Sequence, residues 1–384
     1  MDRDLLLHVG DSKTGTSSIQ EVLYHGRWRC PDVRLAYPDE LNALVLARAF
    51  RTGRPPQRQA TLLQDTAAWV ERTDADRHLI SAEQFEGVSP TALESALRTW
   101  LPRHAGAAEV IAYARPHPGR LLATFAQQVK TGAFDGDLAA FLEATATNRM
   151  MWYADRFTAW SDAFPGRFTL RHFDPAALRD GDVVTDLLHW ALGGAPFEVT
   201  DPPRTNPSLT LGGMLCFREV QRRLTAAGVE PGTRHAVGNA LNRRLEGSPA
   251  QAVGERVRLS RGLAEALHAR HREDAAAMDD RFFAATPFTD ALARAVEGAT
   301  SEEQSFSLAD HVDADAIADL HRAGDALADL LAEHGRAWAR RFRVSIGWRT
   351  PRPRLARRGP DTGPVDDAVE RVFRSLESAL LARG

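Results

Sequence analysis

The stretch Leu5-Leu6-Leu7-His8-Val9-Gly10-Asp11-Ser12-Lys13-Thr14-Gly15-Thr16-Ser17-Ser18-Ile19-Gln20-Glu21-Val22-Leu23-Tyr24 decides how this chain folds. Residues 5–9 form a short continuous apolar run, the composition of a strand buried on both faces of a parallel sheet. Residues 17–24 carry apolar side chains at helical spacing. Glycine and hydroxyl residues crowd the turn between them. A strand that feeds such a loop into a helix N-terminus aims backbone N–H groups and the positive end of the helix dipole at one point, which makes a cradle for an anion. The loop does not follow the GxxxxGK[ST] order of the nucleoside-triphosphate loops. Lys13 stands two residues before Gly15, and Thr16 follows, so the ammonium reaches another side of the bound anion.

Outside this loop the composition is ordinary. The chain has 384 residues, 43% hydrophobic and 26% charged, long enough for one large or two medium domains and unlike a collagen, a disulfide scaffold or a wholly disordered chain. Forty-eight basic residues against 51 acidic give a formal charge of −3, so nucleic acid is not an expected partner and any anion affinity is local. The cysteines, Cys30 and Cys216, belong to no CxxC or Cys/His cluster; no disulfide framework and no metal site are expected. No apolar run approaches the roughly 18 residues of a membrane span, and the N-terminus is too short for a signal segment. A soluble cytoplasmic protein without membrane contact is the expectation. Of the 48 basic residues all but Lys13 and Lys130 are arginine. Arginine cannot replace lysine where a compact ammonium must fit beside a small anion.

A second informative segment starts at Glu109-Val110-Ile111-Ala112-Tyr113-Ala114-Arg115, a strand pattern that ends in arginine. Pro116 to Gly119 read as a turn, and residues 120–130 resume helical spacing. An arginine at the C-terminal end of a parallel strand points into the crevice where open α/β sheets bind ligands, and its guanidinium suits a phosphate.

With both segments in view, HVGDSKTGTSSIQ (residues 8–20) resembles the 5′-phosphosulfate loop of sulfotransferases that use 3′-phosphoadenosine 5′-phosphosulfate (PAPS), especially bacterial members. The resemblance implies that Thr14, Gly15, Thr16 and Ser17 hold the 5′-phosphosulfate and that Lys13 lies on the oxygen bridging phosphorus and sulfur. Residues 113–132 are similar to the family's 3′-phosphate segment, YxRRxxxxxxSxxxQxVKTG, at Tyr113, Arg115, Gln127, Val129, Lys130, Thr131 and Gly132. The family's serine is Ala123 here, with Thr124 beside it as the substitute hydroxyl. Arg204-Thr205-Asn206-Pro207-Ser208 resembles an Asn-x-Ser element, which implies nucleotide contacts from Asn206 and Ser208; a helix cap at Ser208 is the plainer reading. The likeness spans roughly residues 4 to 225.

Arg77 to Glu83 read as another strand with a polar end, similar to the family's Ser-Ser-Glu segment. Sulfuryl transfer requires the acceptor hydroxyl to lose a proton, and a carboxylate within hydrogen-bond reach can take it. Glu83 is the first candidate base and Glu40 the second, with a loop-bonding role for Glu83 left open. His8, inside the first strand, reads as a core histidine.

Residues 1–213 therefore read as an α/β core, a three-layer α/β/α sandwich about a mainly parallel sheet of the P-loop-like sulfotransferase kind. Residues 214–335 read as an α-helical C-terminal subdomain over the acceptor side, and residues 336–384 as an arginine-rich segment followed by a helix. Nine arginines and no acidic residue occupy 336–358. That segment reads as a solvated linker to an amphipathic helix at 365–381, docked on its own domain or on a second subunit of a homodimer; a polyanion-binding role is the sharper alternative. The expected activity is sulfuryl transfer from PAPS to a hydroxyl or amine of a glycan or small-molecule acceptor. An ATP-dependent phosphotransferase and a non-catalytic nucleotide- or glycan-binding module remain as alternatives.

Overall fold

The computed structural model describes residues 4–50, 56–201, 209–345 and 362–382. In chain order the elements are β1 (Asp4–His8), α1 (Thr16–Tyr24), β2 (Trp28–Arg29), β3 (Leu35–Ala36), α2 (Leu44–Ala49), α3 (Pro56–Arg72) and β4 (Arg77–Ser81). A 3-10 turn over Glu83–Gly87 leads to α4 (Pro90–Trp100), α5 (Pro102–Ala105), β5 (Glu109–Ala114), α6 (His117–Thr131) and α7 (Leu138–Ala144). Then come α8 (Ala154–Ala163), β6 (Phe168–His172), α9 (Val183–Ala191), β7 (Glu198–Val199), α10 (Leu211–Ala226) and α11 (Pro231–Leu245). The chain closes with α12 (Arg261–Phe282), α13 (Pro287–Glu297), α14 (Ala314–Ser345) and α15 (Gly363–Leu381). These elements gather into two units, each drawn from three stretches: 1–120, 148–204 and 270–293 in the first, and 121–147, 205–269 and 294–384 in the second.

The first unit is built on a five-stranded sheet in the order β3-β4-β1-β5-β6, with every neighbouring pair parallel. Leu6 pairs with Leu79 on β4, and Leu7 with Val110 on β5. Both faces of β1 are covered, as the unbroken apolar run requires: Leu5, Leu6 and Leu7 are all buried. Leu6, Leu79, Ile111 and Tyr113 join Ile19 and Val22 of α1 and Leu187 and Leu188 of α9 in one cluster. Each such leucine or isoleucine contributes on the order of 1.5–3 kcal/mol by leaving water. On the other face α8 brings Phe157 and Trp160, both buried. Asp182 starts α9 by accepting from the Thr185 N–H at 2.8 Å. The expected α/β core with a parallel sheet of five strands is thus what forms. From β1 the chain leaves toward the β3 edge, and from β5 toward β6, so the loops after β1 and β5 part between two adjacent strands. That is where open α/β sheets bind ligands.

One local expectation fails. Pro116 to Gly119 read as a turn before a helix, but α6 already begins at His117. Proline lacks only an N–H that the first helical turn leaves unpaired anyway, so Pro118 opens the helix.

The second unit is helical. Phe125, Phe134, Phe141 and Phe306 pack ring against ring, at centroid distances of 5.1 to 6.1 Å. α14 continues through Gly335, where the sequence suggested an end; a Cβ there would stand 3.1 Å from Thr233 Cγ2 of α11, so the glycine allows close approach. Residues 336–345 therefore continue a helix rather than forming a linker. Arg336 pairs with Glu230 and Arg341 with Asp366, while Arg343 donates to the Gly232 carbonyl. Trp338 Nε1 donates to Asp366 Oδ1 at 2.7 Å. α15 docks within this same unit, burying Val365, Val369, Val372 and Leu376, with Glu370 paired to Arg244 at 3.1 Å. Residues 346–358 of the arginine-rich segment lie outside the described residues.

Candidate anion-binding site

The loop after β1 is held from below. Asp11, 1% exposed, takes a bidentate grip from Arg156, Nη1 to Oδ1 at 2.9 Å and Nη2 to Oδ2 at 2.7 Å. Burial pushes the Asp11 carboxyl up, but Arg156 and Arg120 more than offset it and hold the group below the ordinary carboxylate range. Its carbonyl oxygen accepts the hydroxyls of Thr14 and Thr16. Ser12 gives its N–H to Glu86 Oε2 at 2.9 Å and its hydroxyl to the same carboxylate at 2.9 to 3.0 Å. Arg120 donates to the Ser12 carbonyl, pairs with Glu86 at 3.2 Å and stands 3.6 Å from Asp11.

On this base the backbone turns left-handed twice, at Lys13 (φ 67) and Gly15 (φ 77). Gly15 is the N-cap of α1, and no side chain caps the helix. The first N–H groups of a helix have no intrahelical acceptor, so an anion meets unused donors there. Glycine is required at this cap for space as well as for φ: a Cβ would lie 2.6 Å from Val183 Cγ1. The Thr14 and Thr16 hydroxyls are engaged by Asp11, and both side chains are buried; Ser17 is exposed.

Glu83 reaches this loop from the end of β4. Its backbone lies against Gly10, where a Cβ would come 3.1 Å from the Glu83 carbonyl oxygen. Burial raises the Glu83 carboxyl, and the charges of Lys13 and Arg120 pull it back. Glu40 is exposed on the segment between β3 and α2, whose Ala43 N–H donates to the Ser81 carbonyl at 2.9 Å; partial burial of its carboxyl and the neighbouring Asp39 raise it, and its charge is felt at Tyr37. His8 is fully buried, with Nδ1 2.8 Å from Ser81 Oγ, and burial holds its imidazole down to about 4.

Arg115 follows β5, next to β1 in the sheet. Its guanidinium lies over the Phe173 ring, 4.6 Å from the centroid, and its carbonyl accepts from Tyr153 Oη at 2.8 Å. Among the described residues no carboxylate pairs with it. Burial pulls its pKa down, Tyr153 pushes the other way, and Arg120 adds to the fall; a guanidinium remains charged regardless. Behind it, Asp274 accepts from the N–H groups of Tyr153 and Ala154 and pairs with His117 at 3.0 Å.

Thr124, four residues after Arg120 on α6, belongs to the second unit. Its buried hydroxyl finds no partner among the described residues. Asn206 and Ser208 lie outside the described residues. The structure thus brings Lys13, Thr14, Gly15, Thr16, Ser17 and Glu83 to one loop region, with Arg115 at the adjacent strand end; Glu40 lies on the segment between β3 and α2. Sequence reasoning passed over Asp11, Glu86, Arg120 and Arg156. The one signal for them was a carboxylate inside a loop otherwise suited to anions, which demands buried cations to hold it. Among the described residues no group of His, Cys, Asp and Glu stands together as a metal site, and no helix is long and apolar enough to cross a membrane.

No protein-family model and no curated protein matches the chain. Among solved structures it is similar to a sulfotransferase from Alicyclobacillus acidocaldarius, at 15% identity and a TM-score of 0.38, over 58% of this chain and 93% of that one. A likeness of that size carries no functional argument.

Proposed function

We propose that this chain is a PAPS-dependent sulfotransferase. The observation that carries the reading is the pairing of two cationic sites on adjacent strand ends: a lysine-bearing loop that opens a helix with no side-chain cap after β1, and an arginine after β5 that pairs with no carboxylate among the described residues. A nucleotide with a phosphosulfate at one end and a 3′-phosphate at the other needs such a pair. PAPS supplies the sulfuryl group, and the leaving 5′-phosphate gathers negative charge as it departs.

Within this reading the Lys13 ammonium and the amides of residues 15–17 stabilise that charge. Arg115 holds the 3′-phosphate and fixes the nucleotide's position. Glu83 takes the proton of the attacking hydroxyl or amine; what favours it over Glu40 is its electrostatic contact with Lys13, and its raised pKa suits a base working near neutrality. The acceptor is a glycan or small molecule bearing a hydroxyl or amine.

The test is a thermal-shift titration with adenosine 3′,5′-bisphosphate (PAP), beside ATP and ADP, on wild type and Arg115→Ala. Binding to the native state raises Tm by mass action. Selective stabilisation by PAP that the variant loses supports the reading, and an acceptor screen follows. Stabilisation by ATP without PAP sinks it in favour of phosphoryl transfer.

A further inference from the structure

Four charged groups lie beneath the loop: Asp11, Glu86, Arg120 and Arg156. With both carboxylates ionised, two negative charges balance two positive ones, so the cluster adds no net charge to the cradle above it. The two carboxylates are not equally supported. Asp11 takes a bidentate grip from Arg156 at 2.7 to 2.9 Å. Among the described residues the guanidinium paired with Glu86 is that of Arg120, at 3.2 Å, which also serves Asp11 and the Ser12 carbonyl, while Arg156 acts on Glu86 through its charge alone. The Glu86 side chain is 18% exposed, enough for a proton to arrive from solvent. It is bonded to Ser12, the residue before Lys13, so a bound anion would sit close to it.

We infer that Glu86 takes up a proton when an anion binds the loop and releases it when the anion leaves. An anion in the cradle adds negative charge beside a neutral cluster, and the least supported carboxylate relieves the repulsion by protonating. The protonated cluster then carries one net positive charge, matched to the ligand. A neutral carboxyl keeps an oxygen that still accepts from Ser12 and Arg120, so the loop stays in place. Burial first, then the adjacent Asp11 charge, already push Glu86 up to about 7 in the free protein, against the pull of Arg120 and the Ser12 N–H. Groups facing Glu86 are Asp11 and Ser12 from the loop, Arg120 from α6 and Arg156 from α8. Glu83 lies on the same turn, and α2, packed on that turn, carries one charged residue, the exposed Arg48.

The inference rests on the nucleotide reading above, and the experiment separates the two. Calorimetric titration of the full chain with PAP near pH ~7.5, in buffers of different ionisation enthalpy, counts protons taken up on binding. Wild type is expected to take up a larger fraction of a proton than Glu86→Gln, while Glu83→Gln behaves as wild type; protons taken by the ligand's own phosphates cancel in the difference. Wild-type affinity then climbs more steeply than that of Glu86→Gln as pH falls from about 8 to about 6. Equal uptake in wild type and Glu86→Gln, with binding intact, overturns the inference alone, as does loss of uptake in Glu83→Gln instead. No PAP binding by wild type overturns both. Infrared difference spectra of the wild type answer the question even if the variant does not fold: a protonated-carboxyl band that appears with PAP supports the inference, and its absence overturns it.

Discussion

In the proposed function Lys13 and Arg115 divide the work of one ligand, and their substitutions are expected to separate accordingly. Lys13→Ala is expected to lower kcat by about 10²–10³ with a small change in PAP affinity, because the ammonium acts on charge that develops only in the transition state. Arg115→Ala is expected to weaken PAP by roughly 10-fold to 100-fold, the worth of about 1.5–3 kcal/mol for a charge-assisted bond. Steady-state kinetics beside calorimetry check both; equal losses of affinity would refute the division. Asp11→Ala acts differently, since it leaves the buried Arg156 guanidinium without its carboxylate partner and Arg120 with Glu86 alone. We expect it to cost about 3–5 kcal/mol of stability, read by urea unfolding. The two buried carboxylates also act oppositely with pH. Asp11 is held low, so its stabilising contribution is present above the ordinary carboxylate pKa and is lost as pH falls through its depressed value. Glu86 is held high, so its contribution is full below about 4.5 and is lost as pH rises through about 7. Unfolding free energy measured across that window should fall less in Glu86→Gln than in wild type.

Elements were legible where local chemistry decides them. The apolar run of β1 and the arginine-ended pattern of β5 each announce themselves within a few residues. So did the loop, because glycine and hydroxyl residues crowded between strand and helix and a lysine out of the usual order are visible in a single line of sequence. The cluster beneath the loop was not legible, since Glu86 and Arg156 are 74 and 145 positions from their partners, and no local pattern marks such a meeting. α14 also hid its length: Gly335 reads as an end until α11 is seen against it. Two glycines test the packing of these elements. Gly15→Ala places a methyl 2.6 Å from Val183 at φ 77, and should cost at least about 1–2 kcal/mol while abolishing PAP stabilisation in a thermal shift. Gly238→Ala drives a methyl to 2.2 Å from the Lys130 carbonyl; a loss of about 1–3 kcal/mol or more is expected there, with PAP binding intact in the protein that remains folded.

At the scale of the molecule, α15 is bound to its unit by an apolar face and by ion pairs at Glu370 and Asp366. A chain ending at residue 361 would uncover what Val365, Val369, Val372, Phe373 and Leu376 cover. At on the order of 1.5 kcal/mol or more per side chain, the loss exceeds about 5 kcal/mol, and a lowered Tm together with light scattering would report it. The discontinuous make-up of the first unit reaches further, into the order of synthesis. The strands of its five-stranded sheet are complete once residue 172 has been made, but Asp274, which anchors Tyr153, Ala154 and His117, comes with the third stretch, 270–293. On the ribosome the loop that carries Lys13 therefore leaves the exit tunnel long before its supporting architecture exists. The nascent sheet waits, with apolar surface open to chaperones, until about three-quarters of the chain has been translated.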